Sequence, residues 1–267
     1  MRIELGVLGD PLTFTLSPAL HRAGLAALGL AGSSEPLRTP REALGPRLRE
    51  LAGRGFRGVN LTHPLKEEAL AHVARVSAAA RRARSINTVH FDAEGASGDT
   101  TDGPGFLDLL RSLGREPAGE RVVLLGGGGA ARSLAAALLG AGATVTLSVR
   151  AGPPREPSGG AGEPARVAWR SAEERESIAA AGVVVNATPL AGAEEPAPLA
   201  LIPRRALVVD LVYGERPTAW VVEARAQGIE AWDGLGLLVF QARRSLSIWT
   251  GAEIPLAPLA RAVGWPR

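Results

Sequence analysis

The sequence of 267 residues contains no cysteine, one lysine, one tyrosine and one methionine, and its aromatic content is 4%. Without cysteine there is no disulfide, no thiolate nucleophile and no cysteine-ligated zinc. The four histidines, His21, His63, His72 and His90, show no ligand spacing, so no metal site is expected. No apolar run approaches the ~20 residues of a membrane helix, and "MRIELGVLGD" lacks the apolar core of a signal peptide. These absences predict a soluble, cytoplasmic protein.

Lysine is the most telling scarcity. Of 30 Lys plus Arg, Lys66 is the one lysine, leaving 29 arginines. Arginine does not titrate below pH 12, which explains a pI of about 10.3 at a net charge of only +3. The densest basic run, "RRARS" (Arg81 to Ser85), has no interleaved aromatics and reads as a solvated helix face, not a nucleic-acid surface. Arginine for lysine and 20 prolines fit a GC-rich genome or a heat-adapted host equally.

What remains is 46% hydrophobic and long enough for two domains. "IELGVLG" (Ile3 to Gly9) reads as a strand, and "SPALHRAGLAALGL" as a helix with Ser17 at its N-cap and Pro18 in its first turn. "FRGVNLT" (Phe56 to Thr62) is a second strand, "HPLKEEALAHVA" a helix opened by Pro64, and "SINTVHFD" (Ser85 to Asp92) a third strand. After Asp102, "GPGFLDLLRSLG" predicts a connecting helix. The segment Arg121 to Arg150 then gives strand, glycine turn, helix and strand, one βαβ unit. "AGPPREPSGGAGEP" (Ala151 to Pro164) predicts a surface loop, and "AGVVVNATP" and "ALVVDLVY" have the continuous apolar character of buried parallel strands. From Gly236 the pattern is helical and too short for a domain, so it must pack back. The class is α/β.

The pattern Gly126-x-Gly128-x-x-Ala131 follows an apolar strand and opens an alanine-rich helix. In that context glycines let backbone amides approach a pyrophosphate at a helix N-terminus. An NAD site usually carries a carboxylate at the end of the second strand for the ribose 2′-hydroxyl. Here that place holds Ser148 and Arg150, which favours the 2′-phosphate of NADP.

Eight stretches in order, "GDPLTFTLSP", "GVNLTHPLKE", "SINTV", "TTDGPGF", "GGGGAARS", "VVNATP", "VVDLVY" and "WDGLGLLVFQARRSLSIWTG", resemble the shikimate dehydrogenase family from Gly9 to Gly251. The resemblance implies NADPH-dependent, reversible reduction of 3-dehydroshikimate to shikimate in aromatic amino acid (chorismate) biosynthesis. It also implies two domains. An N-terminal α/β substrate domain, residues 1–102, is completed by C-terminal helices in 236–267, and a Rossmann-like NADP-binding domain covers 103–235. By position, Lys66 and Asp102 resemble the family's catalytic pair. Thr15 and Ser17 match the hydroxyls that hold the substrate carboxylate; Thr62, Asn87 and Gln241 match groups on the ring hydroxyls, and Tyr213 a substrate-facing place. Gly126, Gly127, Gly128, Gly129 and Ala130, with Ser148 and Arg150, match the cofactor phosphate sites, and Leu211, Gly234 and Leu237 lie near the nicotinamide. The expected partner is the small-molecule substrate, with no nucleic acid and no membrane, in a monomer or homodimer.

The sequence departs from the family at Thr15 for serine, Arg84 for glycine, Thr100 for asparagine, "VRA" for "NRT", "TPLAG" for "TPLGM", and Leu237 for methionine. Thr15 adds a methyl group beside the carboxylate, so a quinate/shikimate or aminoshikimate dehydrogenase stays open. So does a non-catalytic nucleotide-binding paralogue, against which an intact Lys66 and Asp102 argue. The plain alternatives also stand: Lys66 as a helix-face cation beside Glu67 and Glu68, Asp102 as an N-cap, Thr15 and Ser17 as turn hydroxyls, Asn87 as a core amide, Gln241 as a surface residue. Arginine serves a helix face equally well and cannot deprotonate, so a lone lysine points to proton transfer.

Overall fold

The computed structural model describes residues 2–150, 162–190 and 195–267, so most of the expected loop at Ala151 to Pro164 lies outside the described residues. The chain forms two compact units, Met1–Phe106 with Leu238–Arg267, and Leu107–Leu237. Among the described residues no helix is long and apolar enough to cross a membrane.

In chain order the first unit has β1 (Ile3–Gly9), α1 (Ser17–Ala27), β2 (Gly32–Arg38), α2 (Leu44–Gly53), β3 (Gly58–Leu61), α3 (Leu65–Glu68), β4 (Arg75–Val76), α4 (Ala78–Ala83), β5 (Thr88–Asp92) and β6 (Gly95–Asp99). Its six-stranded sheet runs β2-β1-β3-β5-β6-β4. β1 is parallel to β2 and β3, whereas β5 is antiparallel to both β3 and β6. One cluster joins Leu44, Leu48 and Leu51 of α2 to Leu8, Val59, Leu61, Val89 and Phe91 of the strands. Burial at this density supplies about 25 cal/mol per Å² of apolar surface removed from water.

Helix α5 (Asp102–Ser112) leads into the second unit, which contains β7 (Arg121–Leu125), α6 (Gly129–Gly140), β8 (Thr144–Val149), β9 (Ala165–Ala168), α7 (Ala172–Ala179), β10 (Val183–Asn186), β11 (Leu207–Asp210), α8 (Ala219–Ala226) and β12 (Glu230–Trp232). The sheet is wholly parallel in the order β12-β11-β10-β7-β8-β9, a doubly wound arrangement whose direction reverses between β7 and β10. Val183, Val184 and Val185 of β10 and Leu207, Val208 and Val209 of β11 are fully buried, as their unbroken apolar runs predict.

Helix α9 (Leu235–Thr250) returns to the first unit and is followed by α10 (Leu256–Val263). It lies so close to β3 that a Cβ at Gly58 would meet Trp249 Nε1 at 2.1 Å, and that indole donates to the Val89 carbonyl at 2.9 Å. Beneath α9 runs a buried polar seam. His21 of α1 stands edge-on to Trp249 with ring centroids 5.1 Å apart and bonds Ser34 of β2 and Asn60 of β3. Asn60 in turn reaches Thr88 of β5 and Ser245 of α9.

Three local expectations change. Helix α1 begins at Ser17, with Leu16 as its cap residue, because the Leu16 carbonyl already accepts from Leu20. The Thr15 hydroxyl accepts from the Ser17 amide at 3.3 Å, so Thr15, and not Ser17, serves this turn. The helix after Pro64 keeps α-form only over Leu65–Glu68, because the following residues turn to form β4, which pairs with β6. The strand expected from Ser85 starts at Thr88, since Ser85 to Asn87 carry the turn out of α4.

Two stability predictions rest on these elements. Burial lowers the His21 pKa from 6.5 to about 4, with Arg22 adding to the effect and the Asn60 hydrogen bond opposing it. The unfolded chain therefore binds the extra proton between about pH 4 and 6.5, so folding stability from His21 is complete above 6.5 and is lost as pH falls through that window. The loss reaches ~3 kcal/mol in urea denaturation at pH 4, and an NMR titration placing His21 near 6.5 would refute it. Arg84, at the end of α4, adopts a left-handed φ of 48°. Arg84→Gly is expected to stabilise the fold by ~1 kcal/mol, read as a raised urea midpoint at unchanged slope.

Candidate active site

The loop from β3 into α3 is short and tied down. The Thr62 amide donates to the Leu8 carbonyl at 2.8 Å, the Leu65 amide to the Thr62 carbonyl at 2.9 Å, and the Ile86 amide to the Lys66 carbonyl at 2.7 Å. Lys66 is thereby fixed at both backbone and side chain: its Nζ donates to Asp102 Oδ2 at 2.6 Å. The Lys66 side chain is 19% exposed and that of Asp102 7%, so the pair is shielded on the carboxylate side and open on the ammonium side. An ammonium has three donors, and one is spent on Asp102.

Asp102 opens α5, where a carboxylate suits the positive end of the helix dipole. Its second oxygen, Oδ1, accepts from Asn87 Nδ2 at 2.7 Å. Asn87 Nδ2 also lies 2.9 Å from Thr101 Oγ1 and 3.3 Å from Gln241 Oε1, while Asn87 Oδ1 accepts from the Thr101 amide at 2.7 Å. Gln241 is buried on α9, not on the surface, and donates to the Leu238 carbonyl. Four expected residues, Lys66, Asp102, Asn87 and Gln241, thus form one hydrogen-bonded cluster in the first unit.

The remaining expected residues are placed separately. Thr15 and Ser17 stand together at the start of α1, with Ser17 buried. Thr62 lies one short turn before Lys66, where the ends of β1 and β3 adjoin. Tyr213 belongs to the second unit, in the segment after β11. Sequence reasoning missed Asn60, Thr88, Thr101 and Ser245, which are buried polar residues on the same seam. The one available signal was polar residues at strand and helix positions otherwise apolar.

In the second unit the glycine turn leaves β7 at the switch between β7 and β10. Gly126 has φ 121°, and a Cβ there would meet the Ala187 carbonyl oxygen at 3.0 Å. Gly128 precedes α6 as its cap residue, and a Cβ there would meet nothing within 4 Å, so the first amides of α6, from Gly129 and Ala130, adjoin open space. A Cβ at Gly127 would press on Val149 of β8. This is a cradle that fits a pyrophosphate.

At the end of β8 the Ser148 hydroxyl is buried and donates to Glu174 of α7, whose other oxygen accepts from the Arg170 amide at 2.6 Å. The neighbouring carboxylate is therefore occupied from within, and Arg150 stands over Trp169 with its guanidinium carbon 5.3 Å from the ring centroid. Gly234 donates its amide to the Val212 carbonyl, Leu211 follows β11, and Leu237 is buried. Asp210, buried at the end of β11, is pushed up by desolvation, partly offset by Thr218, the Val212 amide and Asn186.

Known proteins resemble this chain in sequence and fold. A family model described as the shikimate dehydrogenase substrate binding domain matches residues 7–89. The shikimate dehydrogenase (NADP(+)) of Thermus thermophilus is 42% identical over 254 residues, 93% of each chain. That of Xanthomonas euvesicatoria pv. vesicatoria is 38% identical over 96% of this chain and 94% of its own. The crystal structure of shikimate 5-dehydrogenase from Thermus thermophilus in complex with NADP(H) and shikimate superposes with a TM-score of 0.86 at 37% identity, covering 98% of both chains. With identity at this level across both units, the chain belongs to the shikimate dehydrogenase family.

Proposed function

We propose that this chain is an NADP-dependent oxidoreductase that reversibly reduces 3-dehydroshikimate to shikimate, with Lys66 handling the proton and Asp102 orienting it. The observation that carries the reading is the 2.6 Å contact between Lys66 Nζ and Asp102 Oδ2, made by the one lysine of the sequence. The relatives named shikimate dehydrogenase (NADP(+)) support the substrate and cofactor. The reading includes a cytoplasmic setting, a monomer or homodimer, and no nucleic-acid partner, in keeping with a net charge of +3.

Reducing a ring ketone requires a hydride and a proton. The glycine turn would hold NADPH, which would supply the hydride. Lys66 holds a proton on Nζ beside the carbonyl oxygen and delivers it as that oxygen gains charge; in the oxidative direction neutral Lys66 takes it back. Asp102 fixes the ammonium through Oδ2 and is itself fixed through Oδ1, so little reorganisation accompanies the transfer. Arginine cannot replace Lys66, since guanidinium does not give up its proton in proteins. Thr15 and Ser17 are read as hydroxyls that hold the substrate carboxylate, and Thr62, Asn87 and Gln241 as contacts to the ring hydroxyls, with Tyr213 as a further substrate contact. Gly126 to Ala130 hold the pyrophosphate. Arg150, two residues after Ser148, would meet the 2′-phosphate in charge-assisted hydrogen bonds, and Leu211, Gly234 and Leu237 would border the nicotinamide.

Assays of the wild type and of variants test this. Lys66→Ala lowers kcat by ~10²–10⁴-fold with a modest change in substrate KM, and Lys66→Arg is nearly as damaging. Activity within a few-fold of wild type in either variant removes Lys66 as proton carrier. In steady-state assays crossing shikimate and quinate with NADP and NAD, the best pair is shikimate with NADP. Arg150→Ala raises KM for NADP by ~10-fold or more while leaving NAD nearly unchanged. A preference for quinate with NAD overturns both the substrate and the cofactor assignments.

A further inference from the structure

The Lys66–Asp102 pair stands at one end of the buried polar seam, and each link in that seam has a direction set by the backbone. The Asn87 carbonyl can only accept, so Asn60 presents Nδ2 to it at 2.9 Å. Asn60 Oδ1 therefore faces His21 Nε2 at 2.9 Å, which makes Nε2 the protonated nitrogen. His21 Nδ1 is left to accept from the Ser34 hydroxyl at 2.8 Å. At the other end the Thr101 amide can only donate, and it takes Asn87 Oδ1 at 2.7 Å. Asn87 Nδ2 is left to point at Asp102 Oδ1.

Three hydroxyls join the two amides. Ser245 Oγ lies 3.0 Å from Asn60 Nδ2, 2.8 Å from Thr88 Oγ1 and 3.1 Å from Thr101 Oγ1. Thr88 and Thr101 each also lie 3.1 Å from Asn87 Oδ1. His21 and Ser245 are fully buried, and Asn60, Thr88 and Thr101 are at most 5% exposed, so no water competes for these bonds.

We propose that His21, Asn60 and Ser245 are positioning residues for the Lys66–Asp102 pair. Together with Thr88 and Thr101 they lock the Asn87 amide in the orientation that donates to Asp102 Oδ1 and leaves Oδ2 to Lys66. The proposal rests on Lys66 and Asp102 being the reacting pair. Ser245 is the pivot supplied by α9, because it touches Asn60, Thr88 and Thr101 together. Charged residues close to the pair along the chain include Glu67 and Glu68, next to Lys66 on α3, and Asp99 at the end of β6, whose carboxylate is held by Ser77 and the Thr100 amide. Asn87, Thr101, Gln241 and Ser245, which reach the pair and its amide from the other elements, carry no charge, and His21 enters only through Asn60.

The test compares Ser245→Ala, Thr88→Val and Thr88→Ser in the full chain. Ser245→Ala and Thr88→Val are expected to lower kcat ~10-fold with shikimate KM within about twofold, since a small misplacement of reacting groups is costly. Thr88→Ser, which keeps the hydroxyl, recovers most of the lost rate. If both variants melt earlier yet keep the wild-type kcat, the seam is only structural and the proposal fails. A raised KM at unchanged kcat also overturns it, making the seam part of substrate binding. Failure of the underlying reading looks different: Lys66→Ala then keeps its activity whatever Ser245→Ala does.

Discussion

Asp102 divides its two oxygens between a cation and an amide, and the first unit is organised around that division. Oδ2 takes Lys66 and Oδ1 takes Asn87, at 2.6 and 2.7 Å. A carboxylate with one oxygen unbound would rotate, and the ammonium would follow it. Holding both oxygens requires β3 to deliver Lys66, β5 to be preceded by Asn87, and α5 to begin at residue 102. The mixed sheet meets all three conditions, because β3 and β5 are neighbours and Thr101 links the start of α5 back to Asn87.

The same unit tolerates a buried polar seam because each group in it is bonded. Burying an unpartnered amide or hydroxyl costs about 1–3 kcal/mol, whereas a satisfied one is close to neutral or modestly favourable. Neutral His21 belongs to this logic, since burial disfavours its charged form and both ring nitrogens have partners. Helix α9 closes the seam, and it approaches closely enough only because β3 begins with Gly58 under Trp249.

Legibility in the sequence followed local signal strength. β1, the Arg121 to Arg150 βαβ unit, β10 and β11 announce themselves as apolar runs flanked by glycine, and the structure has them there. β6, "GASGD", carries no such signal and exists because β5 and β4 offer it partners on both sides. The helix after Pro64 was legible as to its start and not its end, because what stops it is the pairing of Arg75 and Val76 with Ser97 and Gly98. Lys66 stood out by being the one lysine, Asp102 through the family motif, and the glycine turn by its context. Asn60 and Ser245 did not stand out at all, since a polar residue in an apolar element looks the same whether it faces water or a buried partner.

Residue type and order along the chain were enough to establish the class of the fold, the family, the glycine turn and the single lysine. That Asn87 Nδ2 meets Asp102 Oδ1 was settled by the tertiary structure. It alone decided that Gln241 is buried beside Asn87, that His21 is neutral, and that Ser245 joins residues 185 and 157 positions away. Hydrogen-bond direction and burial are properties of groups brought together across the sheet, and neighbours along the chain carry no record of them.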